Sequence, residues 1–196
     1  MNVTIVDDPI SRRSRNRIHP HKFALYVACA SMLMLFAAFT SAMIVRQAAG
    51  NWQEFQLPNI FYYNTAILLV SSISLQASYY FFKKGQTSLY RWLMVLTFIL
   101  GLAFIVYQYQ GWLALQDIGI FLDGNPSGSF VYVISGMHAA HVLGGIGALT
   151  VALLHAFILP HKATAKRKTR FELVLTFWHF LGFLWVYLLG FFTLQF

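Results

Sequence analysis

Five runs of mainly apolar residues, at 23–45, 60–82, 92–112, 130–159 and 171–196, alternate with short polar segments along the chain. A helix rises about 1.5 Å per residue and needs about 20 apolar residues to cross a hydrocarbon core of about 30 Å, so each run is long enough for one crossing. The runs lack the two-residue alternation of a membrane barrel, and open strands would leave backbone groups unpaired in lipid. The pattern therefore predicts an all-α chain: a bundle of five transmembrane helices over 23–196, preceded by a basic tail at 1–22. That tail is the longest polar segment, so no second soluble domain is expected. No small-residue cleavage site closes a short apolar segment, so the first run is expected to stay as an anchor.

Composition supports this class, since 58% of residues are hydrophobic and only 10% charged. The net charge of +8 would suit nucleic acid, but its placement argues for orientation in a bilayer instead. Arg12, Arg13, Arg15, Arg17 and Lys22 lie in the tail, Lys83, Lys84 and Arg91 in the second connection, and Lys162, Lys166, Arg167, Lys168 and Arg170 in the fourth. The first and third connections hold Arg46 beside Glu54, Asp117 and Asp123. Cytoplasmic loops are enriched in Lys and Arg, which predicts a cytoplasmic amino terminus and a carboxyl terminus on the periplasmic face. Nucleic acid is not expected as a partner. The single cysteine, Cys29, sits in an apolar run and offers neither a disulfide nor a paired-thiolate metal site.

Chemistry inside the spans is sparse. The stretch SGMHAAHVLGG places His138 and His141 on one face of the fourth span. Ionisable groups at that depth normally face protein, so a function for them is the default reading. A haem held by two histidines needs its ligands at nearly equal depth on different helices. His141 lies roughly 27 Å from the inner end of span four and His179 roughly 12 Å from that of span five, so they cannot share an iron. His155, at about 6 Å, is closer in depth to His179, which leaves a small membrane cytochrome b as a rival reading. Hydrogen bonding between helices is the expected role of His138 and His141, without metal.

No carboxylate lies at mid-depth, so a self-contained proton translocator is not expected, and no paired Gly/Pro breaks suggest a transporter. Asn64, Thr65, Ser71, Ser72, Ser74, Gln76, Gln108 and Gln110 are expected to bond between helices. Gly136, Ala140, Gly144, Ala148 and Ala152 recur every four residues, which predicts that span four packs closely at the centre of the bundle. Trp52, Tyr62, Tyr63, Tyr90, Trp92 and Trp112 are expected to anchor span ends at the interface.

Several of these motifs, in this order, resemble the third subunit of haem-copper oxidases, the cytochrome c oxidase subunit III family, over all five spans. Gly136, His138, His141, Val142 and Gly145 match its Gly-x-His-x-x-His-Val-x-x-Gly pattern. Glu172, Trp178, His179, Phe180 and Trp185 match its Glu followed by Trp-His-Phe and a further Trp. Asn64, Thr65, Leu68, Leu69, Ser71 and Ser72 match its Asn-Thr-x-x-Leu-Leu-x-Ser-Ser segment, and Gly101, Phe104 and Gln108 its Gly-x-x-Phe-x-x-x-Gln element. The chain is similar to the shortened five-helix bacterial form, beginning where the third helix of seven-helix members begins.

The resemblance implies a subunit of the cytoplasmic membrane with no cofactor of its own. Haem and copper are expected in the partner catalytic subunit I, with subunit II and phospholipids as further partners. Its implied role is to stabilise the catalytic subunit of a terminal oxidase fed by cytochrome c or quinol, and to sustain proton uptake. His19 and His21 are candidates for proton collection by position, since an imidazole titrates near neutral pH. A subunit III-like partner of a nitric oxide reductase is the alternative within the same motifs. Membership of a respiratory supercomplex is left open. Three acidic positions of the family pattern are lost: Met32, Gly111 and Gly182 stand there, which shifts the expected role toward scaffold and assembly.

Overall fold

The computed structural model describes residues 20–158 and 164–196, and every regular element among them is a helix. The helices are α1 (Pro20–Ala48), α2 (Ile60–Lys83), α3 (Thr87–Asp117), α4 (Pro126–Ile158) and α5 (Ala165–Gln195). All five are long and apolar enough to cross a membrane. They hold 24 to 33 residues each, about 36 to 50 Å at 1.5 Å per residue, so their ends reach past a ~30 Å core into the headgroup layers.

The two ends of the bundle are distinct. At one end, Lys22 of α1 meets Glu172 of α5, and Tyr90 of α3 donates to the Ala156 carbonyl of α4. At the other, Asn125 donates to the Asn51 carbonyl, and Trp52 stacks on Phe196 at 5.9 Å between ring centroids. The α1–α2 connection turns through Gly50 and Asn51, both at positive φ, a conformation that glycine and asparagine tolerate best.

Helices in lipid associate through close packing and interhelical hydrogen bonds. The most extensive pair is α2–α3. There Ser71, Ser74 and Ser78, one stripe of α2, donate to the backbone carbonyls of Thr97, Leu93 and Tyr90. α5 packs along α1, α2 and α4, reaches α3 through Trp178 and Trp185, and supplies a wide buried surface that also includes Leu181, Leu188 and Phe192. α1 joins through a narrow stripe of Cys29, Phe36, Thr40 and Met43.

The packing centre of α4 differs from the spacing argument. The buried stripe is Val131, Ile134, Ser135, His138, Val142, Gly145 and Leu149, whereas Ala140 and Gly144 are exposed and Gly136, Ala148 and Ala152 only half-buried. A four-residue repeat marks one face of a helix but not whether that face points inward. Close approach is made instead by Gly145, where an added Cβ would lie 2.9 Å from Leu181 Cδ1, and by Gly101, where it would lie 2.8 Å from Trp178 Cη2. Tyr90 is likewise no interfacial anchor: it is buried in the core, whereas Tyr62, Tyr63 and Trp92 are exposed.

A methyl group at Gly101 or Gly145 must displace a ring or a branched side chain, and overpacking of this kind costs about 1–3 kcal/mol. Gly101→Ala and Gly145→Ala are therefore expected to lower unfolding stability in mixed micelles by about that amount. Gly144→Ala, whose Cβ meets nothing within 4 Å among the described residues, is expected to be neutral.

Candidate functional site

The motif residues of four helices converge on an aromatic core. His138 is fully buried, with its ring stacked on Trp185 at 5.0 Å and flanked by Phe104 at 5.8 Å and Phe36 at 6.3 Å. Neither ring nitrogen has a hydrogen-bond partner among the described residues. His141 sets its Nδ1 2.7 Å from the Met137 carbonyl of its own helix, with its ring 5.8 Å from Phe36. The expectation that these two histidines bond across helices is therefore overturned: one packs among aromatic rings and the other bonds within α4. Val142 and Gly145 complete the buried face, Gly145 beneath Trp178 and Leu181.

Within the motif residues, polar contacts between helices run mainly through α2. Asn64 Nδ2 donates to Gln108 Oε1 at 3.0 Å, joining α2 to α3. Trp185 Nε1 donates to Thr65 Oγ1 at 2.9 Å and Trp178 Nε1 to Ser71 Oγ at 3.0 Å, so α5 is held to α2 one turn pair apart. His179 does what was expected of the other histidines: its Nδ1 lies 3.0 Å from Ser72 Oγ and its Nε2 3.1 Å from Gln76 Oε1. These groups border an open groove of about 840 Å³ between α2 and α5. Phe180 is half-buried against the core. Gln110 is exposed rather than paired between helices.

Both His179 nitrogens are turned to α2, while His155 lines a separate groove of about 780 Å³ with α3 and α5 residues. No group of three or more His, Cys, Asp or Glu side chains among the described residues could hold a metal ion.

Glu172 ties three helices together at the basic end. Its Oε2 lies 2.6 Å from Lys22 Nζ of α1, its Oε1 4.0 Å from Lys168 Nζ, and Tyr79 of α2 donates to it. Sequence reasoning missed the Lys22 partner, 150 residues away, because an ion pair between distant spans leaves no local pattern. It also assigned the basic residues to orientation alone. Arg91 and Arg167 in fact donate to the Ala156 and His155 carbonyls, each at 2.8 Å, satisfying the open carbonyls at the end of α4. A basic side chain in the turn facing a helix carboxyl end was the signal available. His21 is exposed in the first turn of α1, and His19 lies outside the described residues.

At the three positions where acidic residues are lost, Gly111 packs on Phe61, with an added Cβ 3.2 Å from its Cζ, Gly182 sits against Ser72 Oγ, and Met32 is half-buried on α1.

A family model described as cytochrome c oxidase subunit III matches residues 21–194. A probable cytochrome c oxidase subunit 3 of Nocardia farcinica is 30% identical over 180 residues, covering 88% of this chain and 87% of that one. Cytochrome bo(3) ubiquinol oxidase subunit 3 of Pseudomonas aeruginosa is 33% identical over 178 residues, covering 86% and 83%. A probable quinol oxidase subunit 3 of Staphylococcus haemolyticus is 24% identical over 174 residues, covering 86% and 85%.

Exposed ion pairs contribute about 0–1 kcal/mol and charge-assisted hydrogen bonds about 1.5–3. The Lys22 and Glu172 side chains are 35% and 23% exposed, which places the clamp near the overlap of those ranges. Glu172→Gln is expected to cost about 1 kcal/mol at low ionic strength and to flatten the salt dependence of unfolding, measured by denaturation at two salt concentrations.

Proposed function

The chain belongs to the cytochrome c oxidase subunit III family, which makes it a subunit of a haem-copper oxidase complex, and from that premise we propose that it acts as the non-redox scaffold of a bacterial terminal oxidase. In this reading it lies in the cytoplasmic membrane with its amino terminus inside, packs against the catalytic subunit I and subunit II that hold haem and copper, and supports proton uptake. The reduction of oxygen to water, with electrons from cytochrome c or quinol, belongs to the assembly. The observation that carries the reading is that the family match runs from residue 21 to 194, through all five helices, while its most distinctive side chains are spent on packing. Trp178 and Trp185 are buried and bonded to hydroxyls, and His138 is enclosed by aromatic rings. Both indole N–H groups are already spent on hydroxyls of α2.

Basic charge gathered at one end supports the orientation through the positive-inside rule. Lipid contact is supported by the groove of about 780 Å³ at that end, whose apolar walls include Met94, Val151 and Val174 and whose rim includes Lys166 and Arg170. Such a shape suits an acyl chain beneath an anionic headgroup. The described member of the proposed proton-collecting pair, His21, borders a smaller groove with Lys166 and Arg170 on the same surface.

The reading is tested by deletion and capture. Affinity purification of the tagged chain in mild detergent is expected to bring down a haem-bearing catalytic subunit, and its identity names the donor class. Deleting the chain is expected to leave the haem absorption bands and the initial oxygen-consumption rate nearly intact, while the lifetime of activity under sustained turnover falls by an order of magnitude. Unchanged durability under turnover, or capture without a haem protein, would count against the scaffold role.

A further inference from the structure

We infer that the polar core shared by α2, α3 and α4 is a binding site for water, held between Asn64, Gln108 and His138. Four side-chain atoms there are buried with no hydrogen-bond partner among the described residues: Asn64 Oδ1, Gln108 Nε2 and both ring nitrogens of His138. Each of the three residues is at most 1% exposed. Buried polar atoms in proteins are nearly always paired, and those lacking a protein partner usually bond an ordered water.

One direct bond and the helix register bring the three residues to one level of the bundle. Asn64 and Gln108 are bonded directly at 3.0 Å. The register between α3 and the antiparallel α4 is set by the bond from Trp112 Nε1 to Ser135 Oγ at 2.9 Å. From that level, Gln108 lies four residues back along α3 and His138 three residues on along α4, which puts them within about 2 Å of the same depth at 1.5 Å per residue. Phe104, one turn from Gln108, packs T-shaped against the His138 ring.

The unpaired groups also balance as donors and acceptors. A neutral imidazole has one N–H and one bare nitrogen, the amide nitrogen of Gln108 donates, and the carbonyl oxygen of Asn64 accepts. Reversing both amides exchanges which residue brings the donor and leaves the balance unchanged. Water, donating twice and accepting twice, bridges such a set. An open groove between α3 and α4, walled by Gln108 and by Ala139, the neighbour of His138, runs beside this level of the bundle. None of the three side chains carries a negative charge to offset that of a buried cation, so the site favours a neutral hydrogen-bonding molecule. Bound water would let three polar residues sit together at mid-membrane without an unpaired group, joining three helices at one point.

The test is radiolytic hydroxyl-radical labelling of the full chain in its native complex, read residue by residue by mass spectrometry. Radicals form from bound water in place and oxidise the rings beside it. Trp185, stacked on His138, and Trp178 are a matched pair: both are at most 1% exposed and both donate to a hydroxyl of α2. Trp185 is expected to oxidise severalfold faster than Trp178, and equal rates would overturn the proposal. His138→Phe, or Gln108→Leu where the first variant does not assemble, is expected to bring Trp185 down to the rate of Trp178. A Trp185 rate unchanged by either substitution would equally overturn it.

Discussion

Two tryptophans of α5 tie α2, α3 and α4 to one another. Lipid tails are as apolar as the helix surfaces, so burying apolar area between helices gains little, and shape and hydrogen bonds must do the holding. Trp178 lies across Gly101 of α3 and Gly145 of α4 while its N–H reaches Ser71 of α2. One indole therefore touches three helices. Trp185, two turns on, repeats the device with Thr65 of α2 and the His138 ring of α4. An indole is large and apolar yet carries one donor, and in lipid that donor needs a partner.

The bundle ends are closed by different chemistry. At the basic end charge is used locally: Glu172 gathers Lys22 and Tyr79 from two other helices, and Arg91 and Arg167 cover the carbonyls at the end of α4. At the opposite end aromatic stacking replaces charge, with Phe196 lying against Trp52 and Phe55 of the α1–α2 connection. The same basic residues that orient the chain in a bilayer thus also finish its helices, so a substitution there would change topology and packing together.

What could be read from the sequence follows from which signals are local. Span number and position are properties of contiguous residues, and each of the five apolar runs falls on one helix of the structure, the fourth ending at residue 159 just outside the described residues and the fifth one residue past α5. The hydroxyls and amides of α2 were likewise legible as helix-to-helix bonders, because a polar group at that depth must find a partner; Asn64, Thr65, Ser71 and Ser72 do so. The inward direction of a helix face was not legible. Small residues four apart on α4 share a face, but whether that face turns to its own bundle depends on where α3 and α5 pass, and they pass on the side of His138 and Gly145. The histidines erred for a related reason: spacing places His138 and His179 in the membrane but not opposite anything, and only His179 meets hydroxyl and amide partners. Residues in distant spans, such as Lys22 and Glu172, leave no pairwise trace in one chain.

The account stands or falls on the claim that the α5 indoles are coupled to α2, beyond their bulk. A double-mutant cycle of Trp178→Phe with Ser71→Ala, read as unfolding free energy of the chain in lipid-detergent mixtures, isolates that coupling. Interhelical hydrogen bonds in membranes measure about 0.6 kcal/mol on average and up to about 1.7, and the buried Trp178–Ser71 bond is expected within that range. A coupling indistinguishable from zero, with the two single effects simply adding, would contradict the account and leave the tryptophans as volume alone.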